Sequence, residues 1–265
     1  MNRVIPGLIL AAAWLLLLAS APAWLFGLVL VSGASLALSE YFRMGLPALQ
    51  GGVRLLAILC SLAPVLSALS GQAELVLFGL FLSLAACIAM GLSRYSSWDN
   101  VLHFLSHAGF AGLYIGLCSA YLMLLRLQPQ GSFWLILLTT IIAGSDTGAY
   151  YSGRRFGRRK IFPNISPKKT LEGVLGGIVC GVAFAVIVQL LMNGPISLIL
   201  LVPVAAFLVL IGIAGDLTES MIKRASGVKD SGTILAGHGG LLDRIDSLLL
   251  SAPVLYYLLY FLGIS

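Results

Sequence analysis

Long apolar runs alternate with short polar segments along most of the chain. Nine runs are long enough, or nearly so, to cross a bilayer, because about 20 apolar residues in a helix span the ~30 Å hydrocarbon layer. The pattern therefore predicts an all-α, polytopic integral membrane protein with about nine transmembrane helices. The runs cover residues 4–20, 22–39, 53–71, 73–92, 101–125, 132–150, 171–193, 195–214 and 246–264.

The first run is open to a second interpretation. Arg3, an apolar stretch and the small residues Ala19, Ser20 and Ala21 are also typical of a cleaved signal peptide. Because the second run follows at once after a turn at Pro22, we favour an uncleaved hairpin of two spans.

Composition agrees with a membrane protein. Of the 265 residues, 59% are hydrophobic and 10% are charged, whereas a soluble domain is about half apolar and about 25% charged. The four cysteines fall inside apolar runs without paired spacing, so we interpret them as small buried residues and not as ligands or disulfides.

Basic residues indicate the orientation. Alternating spans place 15 of the 16 Lys and Arg residues on one side of the membrane and only Arg126 on the other. Because Lys and Arg accumulate in cytoplasmic loops, we predict a cytoplasmic N-terminus, and a C-terminus outside if there are nine spans. This bias accounts for much of the net charge of +6, so the charge does not indicate a nucleic-acid partner.

Acidic residues divide the chain into N-terminal transmembrane helices (1–130) and C-terminal transmembrane helices that carry the site (131–265). The first part holds three acids near the ends of runs, and seven of the ten acids follow residue 145 at the cytoplasmic face. Acids do not obey the positive-inside rule, so their position among bases indicates a cytoplasm-facing site for an anionic, metal-bound ligand. The seven are Asp146, Glu172, Asp216, Glu219, Asp230, Asp243 and Asp246.

The first polar segment surrounds the sixth and seventh runs. Asp146 lies about a turn inside the sixth run, where an ionisable group is a functional candidate unless a nearby Arg pairs with it. Ser166 is a candidate N-cap for the seventh helix. Lys168, Lys169 and Thr170 at that helix start predict a phosphate contact.

The second polar segment ends the eighth run. Asp216, Glu219, Ser220 and Lys223 are spaced to share one helical face. A carboxylate pair on such a face can hold Mg²⁺, which prefers oxygen ligands. The alternative is an ordinary helix exit with a Glu219–Lys223 pair worth a few tenths of a kcal/mol.

The third polar segment is KDSGTILAGHGGLLDRIDS, residues 229–247. Asp243 and Asp246 are one turn apart if the final helix starts near Leu241. The glycines beside His238, including Gly239 and Gly240, would let backbone N–H groups approach a phosphate. A plain turn before a span would not require this concentration of charge.

These segments together hold acids for a divalent metal and many bases around glycine-rich backbone. Such groups are typical of phosphoryl or nucleotidyl transfer, and no P-loop, G-x-G-x-x-G or H-E-x-x-H motif is present. The residues therefore predict a membrane phosphotransferase without specifying its substrate.

The run SMIKRASGVKDSGTILAGHGGLLDRID (220–246) resembles the signature of the CDP-diacylglycerol synthases, or phosphatidate cytidylyltransferases. SDTGAYYSGRRFG and SPKKTLEG upstream resemble that family too, so the likeness covers about 145–265. One departure is Ala236, where the family usually has Pro or Gly.

The resemblance implies transfer of CMP from CTP to phosphatidic acid, giving CDP-diacylglycerol and pyrophosphate in phospholipid biosynthesis. It also implies a homodimeric enzyme of the bacterial inner (plasma) membrane. Asp216 and Asp246 match the ligands of a Mg²⁺ centre, which can hold a K⁺ beside it. Asp146 and Asp243 would contribute to the site or orient groups around the metal.

The resemblance and the charge pattern assign the remaining residues to phosphate groups. The triphosphate and the lipid headgroup would be held by Lys223, Arg224, Lys229, His238 and Arg244. The further phosphate contacts would come from Lys168, Lys169, Thr170, Gly239 and Gly240.

Three alternatives remain on the residues alone. Two are related enzymes, a CTP-using lipid kinase and an archaeal-type lipid cytidylyltransferase. The third is an ion-coupled transporter, although transporters place ionisable groups near the midplane in paired repeats, whereas here these groups crowd one face. His103 and His107 could form a metal pair, but packing or hydrogen bonding is the commoner use of such residues.

Overall fold

The computed structural model describes residues 4–98, 100–232 and 239–264. The structure is 78% helical, and no strand occurs among these residues. The helices are α1 (Val4–Ser20), α2 (Ala23–Gly45), α3 (Gly51–Ser61), α4 (Ala63–Ala68), α5 (Ala73–Ser93), α6 (Val101–Ala111), α7 (Cys118–Leu127), α8 (Gly131–Phe156), α9 (Leu171–Leu191), α10 (Leu198–Ala225) and α11 (Leu242–Phe261).

Seven helical segments in the described ranges are long and apolar enough to cross a membrane, which confirms the predicted polytopic, all-α class. The first predicted run corresponds to α1, in which the side chains of the apolar stretch Ile9–Ser20 are described. The ninth corresponds to α11, which has charged residues in its first turns. The count of nine spans therefore stays a prediction. The seven segments are Ala23–Gly45, Gly51–Ala68, Ala73–Ser93, Val101–Leu127, Gly131–Phe156, Leu171–Leu191 and Leu198–Ala225.

Two of these segments are not regular α-helices throughout. Helices α3 and α4 meet at Leu62, where Pro64 at the start of α4 cannot continue the hydrogen bonding of α3. Helices α6 and α7 are joined by a π-helical segment, Gly112–Leu117. Such segments are frequent at functional sites because they re-aim side chains. Here the segment directs Tyr114 towards α10, where its hydroxyl donates to the Gly215 carbonyl oxygen at 3.2 Å.

Glycines bring the helices of the second half close together. A Cβ atom on Gly148 of α8 would lie 2.4 Å from the Gly176 carbonyl oxygen of α9. A Cβ on Gly215 of α10 would lie 2.5 Å from the Asp246 carbonyl oxygen of α11. These contacts exclude side chains, so the polar ends of α8 to α11 converge at one place.

Two helix starts differ from the sequence prediction. The N-cap of α9 is Thr170, whose hydroxyl oxygen accepts a hydrogen bond from the Gly173 N–H at 3.1 Å. The predicted cap at Ser166 is therefore wrong, because residues 166–169 form a turn before the helix. Helix α11 begins at Leu242, one residue after the predicted start.

Candidate active site

Three carboxylates meet where α10 and α11 cross. Asp216, Glu219 and Asp246 each offer one oxygen, and these oxygens all lie within 4.8 Å of one another. Glu219 is fully buried and Asp246 is 8% exposed. The predicted pair Asp216 and Asp246 is thus brought together. Glu219, which the sequence placed on the same helical face but not among the metal ligands, joins them.

The carboxylate oxygens of Asp216, Glu219 and Asp246, which we call the acid cluster, are suitable ligands for a divalent cation. Oε2 of Glu219 is in ion-pair contact with Lys223, whereas its Oε1 is buried without a hydrogen-bond partner among the described residues. Grouped carboxylates repel one another, and a buried unpaired charge is costly. Hard oxygen ligands of this kind are the ones that Mg²⁺ prefers.

Lysine residues from two directions border the acid cluster. Lys169 Nζ lies 2.6 Å from Asp216 Oδ2 and donates to the Ile213 carbonyl oxygen at 3.4 Å. Lys223 contacts Glu219 and lies 2.5 Å from Asp243 Oδ1. Each lysine therefore binds an acid of the site directly and can present its remaining N–H bonds to an anion.

Asp146 reaches the same place from α8. Its side chain is exposed, and it interacts electrostatically with Asp216, Lys169 and Arg244. The structure thus brings the intramembrane acid predicted from the sequence next to the acid cluster. A simple pair with one Arg would not account for its proximity to Asp216.

Asp243 organises the loop that precedes α11. Its Oδ2 accepts hydrogen bonds from the Gly240 N–H at 2.8 Å, the Ser231 N–H at 3.0 Å and the Ser231 hydroxyl at 2.9 Å. Gly239 has a φ of +79°, the left-handed conformation that favours glycine, and the next residue, Gly240, can therefore turn its N–H towards Asp243. Since Oδ1 contacts Lys223, both oxygens of Asp243 are bound by the protein, whereas Asp246 offers an oxygen to the acid cluster.

This geometry changes the interpretation of the glycines. The sequence predicted that the Gly240 N–H would face a phosphate, but it donates to Asp243 instead. Thr170 was also predicted to contact a phosphate, but its hydroxyl oxygen accepts a hydrogen bond within the protein as the cap of α9.

The other predicted residues lie around the site or away from it. Arg224 is exposed, and its Nε donates to the Ile165 carbonyl oxygen at 3.5 Å. Lys168, Lys229 and Arg244 are exposed. His238 and Ala236 lie outside the described residues, so their predicted roles stay predictions.

Comparisons with known proteins identify the family of the chain. The model of the Cytidylyltransferase family matches residues 1–262. The chain belongs to that family. The phosphatidate cytidylyltransferase of Bacillus subtilis (strain 168) is 37% identical over 267 residues, covering 97% of this chain and 97% of that protein. The enzyme of the same name from Pseudomonas aeruginosa is 46% identical over 143 residues, covering 54% of this chain and 53% of its own length.

Membership of the cytidylyltransferase family confirms the resemblance predicted from the three motifs. The match also extends that resemblance from about 145–265 to nearly the whole chain. The transporter alternative is thereby set aside. The N-terminal helices are thus part of the family's fold and not a separate addition.

One residue of this cytidylyltransferase-family chain is buried at the site although sequence reasoning left it out. Glu40 of α2 is 2% exposed and accepts hydrogen bonds from the Leu241 N–H at 3.0 Å and the Leu242 N–H at 2.9 Å. The predicted run ended at residue 39, so Glu40 was placed at a span end. Helix α2 continues to Gly45, which puts this acid inside the helix.

His103 and His107 belong to packing in the described structure. Their ring centroids are 4.3 Å apart, and His107 Nδ1 lies 2.9 Å from the His103 carbonyl oxygen. This is the hydrogen-bonding and packing use that the sequence favoured, and the metal pair stays an untested alternative.

Proposed function

We propose that this protein is a phosphatidate cytidylyltransferase. It transfers CMP from CTP to phosphatidic acid and gives CDP-diacylglycerol and pyrophosphate. The observation that carries the proposal is the acid cluster bordered by Lys169 and Lys223, in a chain of the cytidylyltransferase family. The relatives described above, which bear the name phosphatidate cytidylyltransferase, supply the substrate class.

In this reaction a phosphate oxygen of phosphatidic acid forms a bond to the α-phosphorus of CTP. The bond from that phosphorus to the bridging oxygen breaks, and pyrophosphate leaves with the electron pair. Little general-base help is needed because the phosphate monoester is already ionised. The main barrier is repulsion between two anions, which fixed cationic groups reduce.

We further propose that Asp216, Glu219 and Asp246 hold Mg²⁺, with a K⁺ beside it. A bound divalent cation would neutralise phosphate charge and align the reacting groups. Asp243 would keep Lys223 pointed into the site through its 2.5 Å contact. Lys169 would screen the charge of an incoming phosphate while remaining anchored on Asp216.

The site is proposed to face the cytoplasm of a bacterial inner membrane, in a homodimer. The positive-inside distribution of 15 of 16 bases supports the orientation. The one exception has a structural use in the described residues. Arg126 donates to the Leu18 carbonyl oxygen at 2.9 Å and also to Ala21 and Ser132, so it closes the corner between α1 and α2.

The test is an assay of purified protein in detergent micelles containing phosphatidic acid, with CTP labelled either in cytidine or in the γ-phosphate. We expect cytidine label in the lipid and γ-label in released pyrophosphate, and loss of both with Asp246→Asn. Transfer of γ-label to lipid would instead identify a lipid kinase. Activity only with an unsaturated archaeal-type ether lipid would identify the other alternative.

A further inference from the structure

Glu40 joins the first half of the chain to the start of α11. Its Oε1 accepts the Leu241 N–H, and its Oε2 accepts the Leu242 N–H and, at 3.3 Å, the Ser231 hydroxyl. The two backbone donors lie 201 and 202 residues further along the chain. The Glu40 carboxylate of α2 is therefore occupied by donors from the start of α11 and from the loop before it.

These donors are the ones that the start of a helix leaves without partners. The first N–H groups of an α-helix have no intrahelical acceptor, and the positive end of the helix dipole attracts an anion. Leu241 supplies no side-chain cap to α11. Glu40 takes the place of a local cap from a distant part of the chain, so the position of α11 depends on α2.

The glycine-rich segment, residues 232–240, is described at its two ends. Both ends contact the Glu40 carboxylate. A Cβ atom on Gly232 would lie 2.6 Å from Oε1 of Glu40, and one on Gly240 would lie 2.6 Å from Oε2. Only residues without a side chain fit against Glu40 at these two positions. The two ends of this segment, Gly232 and Gly240, are therefore both packed against Glu40.

We propose that Glu40 is a positioning residue for the nucleotidyl transfer, because it fixes the first turn of α11 and both ends of the glycine-rich segment. This inference rests on the proposed function. Asp246 lies one turn after Leu242, and Asp243 lies between them, so a displaced helix start moves both acids. A misplacement of about 1 Å in a catalytic group can cost about a hundredfold in rate.

The first test compares Glu40→Gln and Glu40→Ala with a matched control, Glu74→Gln. Glu74 is an exposed acid in the first turn of α5 and is not among the residues of the site. Gln keeps the length of the side chain but has one acceptor oxygen where Glu40 uses two. We expect kcat per folded protein to fall about tenfold for Gln and about a hundredfold for Ala, with KM for CTP changed less than about threefold. Glu74→Gln should match wild type.

The second test measures hydrogen–deuterium exchange of the Leu241 and Leu242 amides in micelles, without substrate. Charge-assisted hydrogen bonds protect both amides in the wild type, so we expect exchange about tenfold faster in Glu40→Gln. The Gly173 amide, which donates to the Thr170 hydroxyl at the start of α9, should be unchanged and serves as an internal control. The melting temperature of each variant separates positioning from a loss of folding.

The proposal requires faster exchange and lower kcat in the same folded variant. Wild-type kcat in Glu40→Gln would overturn it, and so would a rate loss without any change in exchange at Leu241 and Leu242. Activity that falls only in proportion to the unfolded fraction would assign Glu40 to folding alone. If the wild-type protein has no transferase activity, the proposed function fails, and the exchange measurement still decides whether Glu40 holds α11.

Discussion

Lys169 Nζ lies 2.6 Å from Oδ2 of Asp216, which joins the residue before the N-cap of α9 to the C-terminal half of α10. The contact leaves Lys169 anchored at the edge of the acid cluster. Lys168, its neighbour in the chain, is exposed instead. Two adjacent lysines in one motif therefore have different surroundings, which a pair of variants can separate.

Replacing Lys169 with Met should lower kcat/KM about a hundredfold or more, because it removes a cation from the phosphate site and leaves Asp216 without its partner. Lys168→Met should lower it less, because that side chain is exposed. Steady-state kinetics with CTP and phosphatidic acid measure both. Equal losses in the two variants would contradict the distinction between the lysines.

Glu219→Gln should raise the Mg²⁺ concentration needed for half-maximal activity about tenfold or more, since a buried anionic oxygen is lost from the acid cluster. A Mg²⁺ titration of initial rates checks this. Glu172→Gln is the control, because Glu172 is partly exposed and accepts from the Arg158 and Arg159 backbone N–H groups away from the cluster. An unchanged Mg²⁺ requirement in Glu219→Gln would remove Glu219 from the proposed ligands.

Gly215→Ala should destabilise the protein by about 1–3 kcal/mol, because the new Cβ atom meets backbone that cannot move aside. It should also lower activity by separating Asp216 from Asp246. Thermal unfolding in micelles and the transferase assay measure the two effects. Gly52→Ala, where a Cβ meets nothing within 4 Å, is the matched control. A Gly215→Ala protein as stable as that control would contradict the close crossing of α10 and α11.

Arg126→Met should lower stability by about 1–3 kcal/mol, since carbonyl oxygens at the corner between α1 and α2 lose a charged donor. The activity of the folded fraction should stay normal because this corner is on the predicted outer side, away from the acid cluster. Unfolding curves and specific activity, measured on the same preparation, test both statements. A strong loss of specific activity would show that the corner affects the site.

Helical spacing predicted much of the site. Asp216, Glu219 and Lys223 share a face because the helix repeats every 3.6 residues, and Asp243 and Asp246 stand one turn apart for the same reason. These relationships are local, so they follow from the sequence once a helix is assumed.

Contacts between distant segments could not be predicted in this way. Glu40 accepts from residues two hundred positions away, and the sequence of its own helix does not indicate these partners. The use of the Gly240 N–H by Asp243 likewise depends on how the loop folds back onto α11. The residue pattern identifies the few polar and charged groups in an apolar chain. Tertiary packing determines which of these groups are in contact.

The long separation between Glu40 and α11 has a consequence for biosynthesis. Ribosomes deliver α2 to the membrane about two hundred residues before its backbone donors are made. Throughout that interval a carboxylate destined for burial has none of these donors, and burying it unpaired would be costly. Packing of α2 around Glu40 is therefore expected to be completed only when α11 inserts. The membrane domain and its site then complete their assembly in the same late step.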